Sequence, residues 1–275
     1  VRLLEPSDRH YAGEVAAIDL LLTRDRNAYD GYYKKLYGWL LRKEVDELAA
    51  QDAVQTLIHH ASTPSYVTGV IDYAFKAGSD ESRIAALSAL ATIGMPRRIT
   101  ERAALRAIGS ANVMVRIAGA RLALLAGFRS GEQEALLSAI AINASNSDDE
   151  RAAAVAALMD TPSSRVLIDR VALKLLAENT ATSWLSPSTR IRAIQALSPD
   201  AQGTPLAQAA FLEILDKNVN DVKEESSRQA LFEQVTVIRT LQRSSRRVRA
   251  LYTDALTAAA KSGPPSVKYE ALLIL

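Results

Sequence analysis

The segment "RTLQRSSRRVR", residues 239–249, gathers five guanidinium groups, Arg239, Arg243, Arg246, Arg247 and Arg249. Arginine presents a planar fork of donors that matches the oxygens of phosphates and carboxylates, so the chemistry this run offers is anion or partner binding. The ligand would be a phosphate, an anionic lipid headgroup or an acidic protein surface. On a continuous helix Arg239, Arg243 and Arg246 share one face, whereas the paired Ser244 and Ser245 read as a turn between two helices. The competing reading is a solvated edge whose charge is partly met by the nearby "DVKEE", Asp221 to Glu225.

A second basic series is spread along the chain: Arg83, Arg116, Arg151, Arg190, Arg228 and Lys268. As a stripe it could hold phosphates. The bland use is structural, because a cation at the start of a helix faces the wrong end of the helix dipole and needs a local acceptor, a turn carbonyl or a carboxylate. The series is read here as structural. Other chemistry is sparse. His59 and His60 are adjacent, point to different faces and have no second ligand pair at useful spacing, so they do not predict a metal site. Tyr29, Tyr32, Tyr33, Tyr37 and Trp39 could form a peptide platform, but Tyr29, Tyr33, Leu36 and Leu40 fall on one helical stripe and read as core. No glycine-rich phosphate loop, nucleophile elbow or histidine–carboxylate metal motif occurs, and no cofactor is implied.

The composition bounds the class. A hydrophobic share of 48% supports a packed core, and only 5% aromatic residues with much Ala, Leu, Ile and Val favours helices packed closely on small side chains over sheets. A formal charge of +2 argues against a dedicated nucleic-acid binder. Cysteine is absent, which excludes thiol chemistry and leans slightly towards an extracytoplasmic, periplasmic home. No apolar run reaches the roughly 18 residues that a membrane-spanning helix needs. The sequence starts at Val1, and "SVKYEALLIL" stops inside an apolar helical pattern. These ends predict that the native polypeptide continues past Leu275, and that the bare apolar end favours self-association.

The elements that must position these residues repeat. "SRIAALSALATIG", Ser82 to Gly94, returns as "VRIAGARLALLAG", Val115 to Gly127, and further copies begin near Arg151, Arg190, Arg228 and Lys268, at successive offsets of 33, 35, 39, 38 and 40. Four positions after the basic residue stand Leu87, Ala120, Val155, Ile194, Phe232 and Leu272; seven after it stand Leu90, Ala123, Leu158, Leu197, Val235 and Leu275. These share a helical face, so all are expected in the core. Three after it come Ala86, Gly119, Ala154, Ala193, Leu231 and Ala271, mostly small, as close helix approach requires. Five after it come Ser88, Arg121, Ala156, Gln195, Glu233 and Leu273; of these Ser88, Arg121, Gln195 and Glu233 are expected to line an inner groove. Between copies runs a second helical pattern, such as "PSYVTGVIDYAFKAG" or "RRVRALYTDALTAAAKSG", with most prolines at the junctions.

The basic residue followed by small and apolar residues, then Leu and often Gly, is similar to the B helix of the HEAT-repeat family, over roughly Pro64 to Leu275. The resemblance implies an all-α, right-handed α-solenoid of about six or seven antiparallel helix pairs, HEAT-like and armadillo-like, whose B helices line the concave side. Residues 1–62 then form a divergent helical cap, and 63–275 the repeats. The expected function is that of a non-enzymatic scaffold holding a protein partner. The alternative is a HEAT-like DNA glycosylase or other nucleic-acid-binding solenoid. Only Arg121 among the six expected groove positions is cationic, and Trp39 and Trp184 are far apart in sequence, which disfavours it. A bilin lyase or chaperone rests on the family's breadth alone.

Overall fold

A computed structural model describes residues 11–25, 28–42, 45–178, 187–216 and 225–275. Among these the regular elements are helices. The chain divides into two compact units, Val1–Gln133 and Glu134–Leu275. The division falls inside a helix, α8 (Ser130–Ile142).

The first unit holds α1 (Tyr11–Arg24), α2 (Tyr29–Arg42), α3 (Glu47–His59), α4 (Pro64–Lys76), α5 (Asp80–Ile93), α6 (Arg97–Ile108) and α7 (Val113–Leu125). Their ends are written locally. The side chains of Asp46, Ser79 and Asn112 accept hydrogen bonds from backbone N–H groups of the helices they precede, satisfying donors that a helix start leaves bare. Helix α5 ends where Gly94 turns left-handed, at φ 60°. Packing follows an alternating rule: α1 lies on α3, α3 on α5 and α5 on α7, while α4 lies on α6 and consecutive helices touch across the two series. Each central helix is thus covered on several sides, which is why its sequence is apolar almost all round.

The second unit follows the same rule. It contains α9 (Asp148–Met159), α10 (Arg165–Glu178), α11 (Pro187–Ala196), α12 (Pro205–Asp216), α13 (Glu225–Gln242), α14 (Arg246–Ala250), α15 (Thr253–Ser262) and α16 (Pro265–Leu272), with a 3-10 turn at Ala201–Gly203. Here α9, α11, α13 and α16 pack in succession, and α10, α12 and α15 do likewise. Ser147 and Glu150 close a reciprocal capping box at the start of α9.

The small column has a direct structural use. A Cβ built on Gly119 would lie 2.6 Å from the Ala107 Cβ and 3.1 Å from the Ala104 carbonyl oxygen, so α6 and α7 cross with no room for a methyl group. Gly119→Ala is expected to cost about 1–3 kcal/mol by overpacking despite Ala's better helix propensity. A denaturation midpoint at or above wild type would refute that crossing.

The core columns are right for the first four copies and misregistered in the last two. Leu87, Ala120, Val155 and Ile194 are buried, but Phe232 is 66% exposed and Leu272 65% exposed, with Leu275 also exposed. In α13 the buried face consists of Glu233, Gln234, Val237, Ile238 and Leu241. On this face Glu233 pairs with Arg190 at 3.3 Å, beside the fully buried Val237, Ile238 and Leu241, while Phe232 faces outward. A second correction concerns "RRVRALYTDALTAAAKSG", which splits into α14 and α15. Tyr252 at the break is fully buried, packs on Phe211, and donates its hydroxyl to the Gln202 carbonyl at 2.6 Å. That tertiary capture outweighs local helix propensity.

Tyrosines knit the first unit. Tyr29, Tyr33 and Tyr37 run along α2 and meet Tyr66 and Tyr73 of α4, with Tyr33 and Tyr37 stacked at 5.2 Å. The Tyr29 hydroxyl donates to the Leu57 carbonyl at 2.7 Å. Burial, then the neighbouring phenols, pushes Tyr33 up to about 12 and Tyr29 higher still. Burial also raises Tyr37 and Tyr73. Phenols whose pKa is raised by folding stabilise the unit fully below their unfolded value near pH 10, and that contribution is lost as pH rises towards 12 and beyond. Absorbance at about 295 nm should therefore show late, cooperative phenolate formation coincident with loss of helicity; ionisation of these tyrosines near pH 10 in a still-folded unit would contradict the packing.

Candidate functional site

The basic series sits at the turns. Arg83 donates to the Ala74 carbonyl at 3.3 Å and to Asp80 at 2.6 Å. Asp80 also accepts from the Asn112 amide at 2.9 Å, which ties one turn to the next. Arg116 donates to the carbonyls of Ser110 and Ala111. Arg151, buried, donates to the Ala141 carbonyl at 2.9 Å and to Glu178 at 2.6 Å. Arg190 faces Glu233 at 3.3 Å, with both side chains 5% exposed. Arg228 is exposed and Lys268 half-buried.

Of the four expected groove residues, two lie in the first unit and two in the second. Ser88 and Arg121 are half-buried in the first unit, and Glu233 points into the core of the second. Gln195 is exposed and lines a cleft of about 680 Å³ together with Arg165, Arg239 and Arg243. Thus the structure joins Gln195 to two members of the arginine run and adds Arg165 of α10. The other three, Arg246, Arg247 and Arg249, lie on α14 outside the cleft, their side chains without a hydrogen bond or ion pair among the described residues. The turn expected at Ser244 and Ser245 separates them, with Ser245 capping α14. The acidic run at 221–224 and Trp184 lie outside the described residues.

Two of the cleft arginines are held in place. Arg239 donates to one Glu270 oxygen through Nε at 2.9 Å and Nη2 at 2.7 Å, while Gln242 donates to the other oxygen at 3.1 Å. The Arg239 hydrogen bonds hold the Glu270 carboxyl below its ordinary value, against the opposite pull of burial. Arg165 donates to the Ala196 carbonyl at 2.5 Å and sits 3.7 Å from Asp169. Asp169 in turn accepts from the Ser198 backbone N–H and hydroxyl, each at 2.7 Å, fixing the turn after α11. The Arg243 side chain has no hydrogen bond or ion pair among the described residues. Among the described residues no carboxylate lines the cleft; Met159, Leu197 and Pro199 give it an apolar part, and Gln202, Thr236 and Thr240 add polar groups. Such a lining can donate hydrogen bonds to oxygen acceptors.

A second concavity adjoins it, sharing Arg165. The groove between α10 and α12, about 930 Å³, is lined by Val166, Leu173, Ala177 and Leu206, with Arg170 and Lys174 beside them. Val166 is 68% exposed and Leu206 52% exposed. Sequence pattern alone misses this groove, because it is the outward face of helices whose inward face carries the stronger apolar signal.

Helix α6 carries a further basic stripe that was legible but unread: Arg98, Arg102 and Arg106, at helical spacing, line a pocket of about 260 Å³. Arg106 is paired with Asp72 at 2.7 Å and lies over the Phe75 ring, whereas Arg98 and Arg102 are exposed and unpaired. The first turn of α6 has no acidic residue. Arg98→Glu should raise stability by about 0.5–1 kcal/mol, by favouring the dipole and replacing a like-charge pair with an attractive one. A lowered midpoint would contradict the described surroundings of Arg98.

His59 contacts the Thr92 hydroxyl at 2.8 Å and His60 contacts Asp19 at 3.0 Å. Among the described residues no group of three potential metal ligands assembles, and no helix is long and apolar enough to cross a membrane. No protein-family model matches the chain, and no curated protein matches it.

Proposed function

We propose that the chain is a non-enzymatic interaction scaffold, a HEAT-like right-handed helical solenoid that holds a protein partner on the second unit. The observation that carries this reading is the meeting, at Arg165, of an exposed apolar groove with an arginine-lined cleft. Exposed apolar surface rimmed by charge is the usual character of a protein-binding site. The alternating helix packing within each unit supports the repeat reading, because each helix pair offers its neighbour the same kind of apolar flank.

The test is affinity capture from the native source with the full-length protein, at low and moderate salt, beside a Val166→Asp/Leu206→Asp variant. Both residues are exposed, so the variant should fold. A defined protein retained by the wild type at moderate salt and lost by the variant is the expected result. Retention of nucleic acid alone, released as salt rises, would replace this reading with the nucleic-acid-binding alternative.

A further inference from the structure

Resting on the scaffold reading, we infer that the segment seated on this surface is an amphipathic helix whose apolar stripe lies in the α10–α12 groove and whose acidic end enters the arginine cleft.

The groove argues for a helix. Val166, Arg170, Leu173 and Ala177 follow one another along one face of α10, a run of roughly 16 Å at 1.5 Å per residue, or about three turns of a docked helix. The walls are two packed helices, α10 and α12, whose interior backbone groups are already hydrogen-bonded. An extended peptide would find no free sheet edge there, so affinity must come from side chains laid into the groove. Val166 and Leu206 supply apolar contacts that a nucleic-acid backbone would leave unmatched.

The charges argue for an acidic end and fix where it lies. Arg170 and Lys174 stand beside the apolar stripe, their side chains without a hydrogen bond or ion pair among the described residues. Past Arg165 the groove opens to Arg239, which is paired with Glu270, and to Arg243, and among the described residues that line the cleft there none is anionic. Two carboxylates belong to the groove. Asp169 is engaged by Ser198 and Arg165, while Asp200 is unpaired and repels acid. Acidic residues of the partner are therefore expected opposite α10 and in the cleft, and not opposite Asp200. Arg239 and Arg165 are oriented in advance by Glu270, Asp169 and the Ala196 carbonyl, so their ordering cost on binding is reduced.

The probe is a display library of random 16-residue peptides selected against the full chain. Enriched sequences should place apolar residues at helical spacing with Asp or Glu gathered towards one end. A synthetic peptide of the best sequence should lose about tenfold or more in affinity to Val166→Asp, and roughly three- to tenfold to Arg170→Glu/Arg243→Glu, with the second loss shrinking in salt. Neither the Arg170 nor the Arg243 side chain has a partner among the described residues, so those variants should keep wild-type helicity. Enriched peptides that are basic, lack helical spacing, or bind the Arg170→Glu/Arg243→Glu variant as well as wild type would overturn the inference. If such peptides emerge, or none do, while native capture still depends on Val166 and Leu206, the scaffold reading stands and the acidic helix is wrong. If capture also fails, both fall.

Discussion

Replacing Glu233 by Ala is expected to destabilise the second unit by about 3–5 kcal/mol, the largest loss for any single charged residue described above. Arg190 and Glu233 join α11 to α13 at 3.3 Å, and each side chain is 5% exposed. Removing the carboxylate leaves a guanidinium, which cannot shed its charge, in a site with little water. The cost is chiefly the burial of a charge that has lost this carboxylate, and not the net worth of the pair. The double replacement Arg190→Met/Glu233→Leu should therefore recover most of the loss, because two apolar chains of similar volume carry no desolvation penalty. Urea denaturation followed by helicity measures both. A loss below about 1 kcal/mol for Glu233→Ala would show that the pair is hydrated, and a double variant no better than the single would show that the site needs charge.

The same pair marks the limit of what the sequence discloses. The helical class was legible because apolar and small residues recur at helical spacing from Leu87 to Ile194. The structural use of Arg83, Arg116 and Arg151 was also written in their place beside turns. Register then fails at Phe232, since "QALFEQV" fits the repeat template as text while the buried face includes Glu233 and Gln234. A template that counts apolar letters has no means of preferring a buried ion pair. The candidate surface was half legible. The arginine run was conspicuous, but Arg165 joins Arg239 and Arg243 only through the packing of α10, α11 and α13. Val166 and Leu206 stand on separate helices, and only their shared groove, with Leu173 and Ala177, gives them meaning. The break before α15 was hidden for a related reason, since Tyr252 answers to Gln202, fifty positions earlier.

Leu158→Ala is expected to cost about 2–5 kcal/mol, the lost transfer free energy of the removed atoms plus that of the cavity left behind. Leu158 is fully buried in α9, whose described neighbours are α10 and α11. Because each helix packs on near neighbours in sequence, the damage should be local. Hydrogen exchange should quicken in α9, α10 and α11, while the α3–α5 contact of the first unit keeps its wild-type protection. Uniform loss of protection through both units would mean that the chain opens as one cooperative block. Unchanged stability would mean that Leu158 is not the packed residue described.

In both units the packed pairs join helices no more than three apart along the chain. Bringing such partners together closes only short loops, and the entropy of loop closure grows with length. Native contacts can therefore form from residues already emerged from the ribosome, before the rest of the polypeptide exists. A chain put together in this way can fold in the order in which it is synthesised.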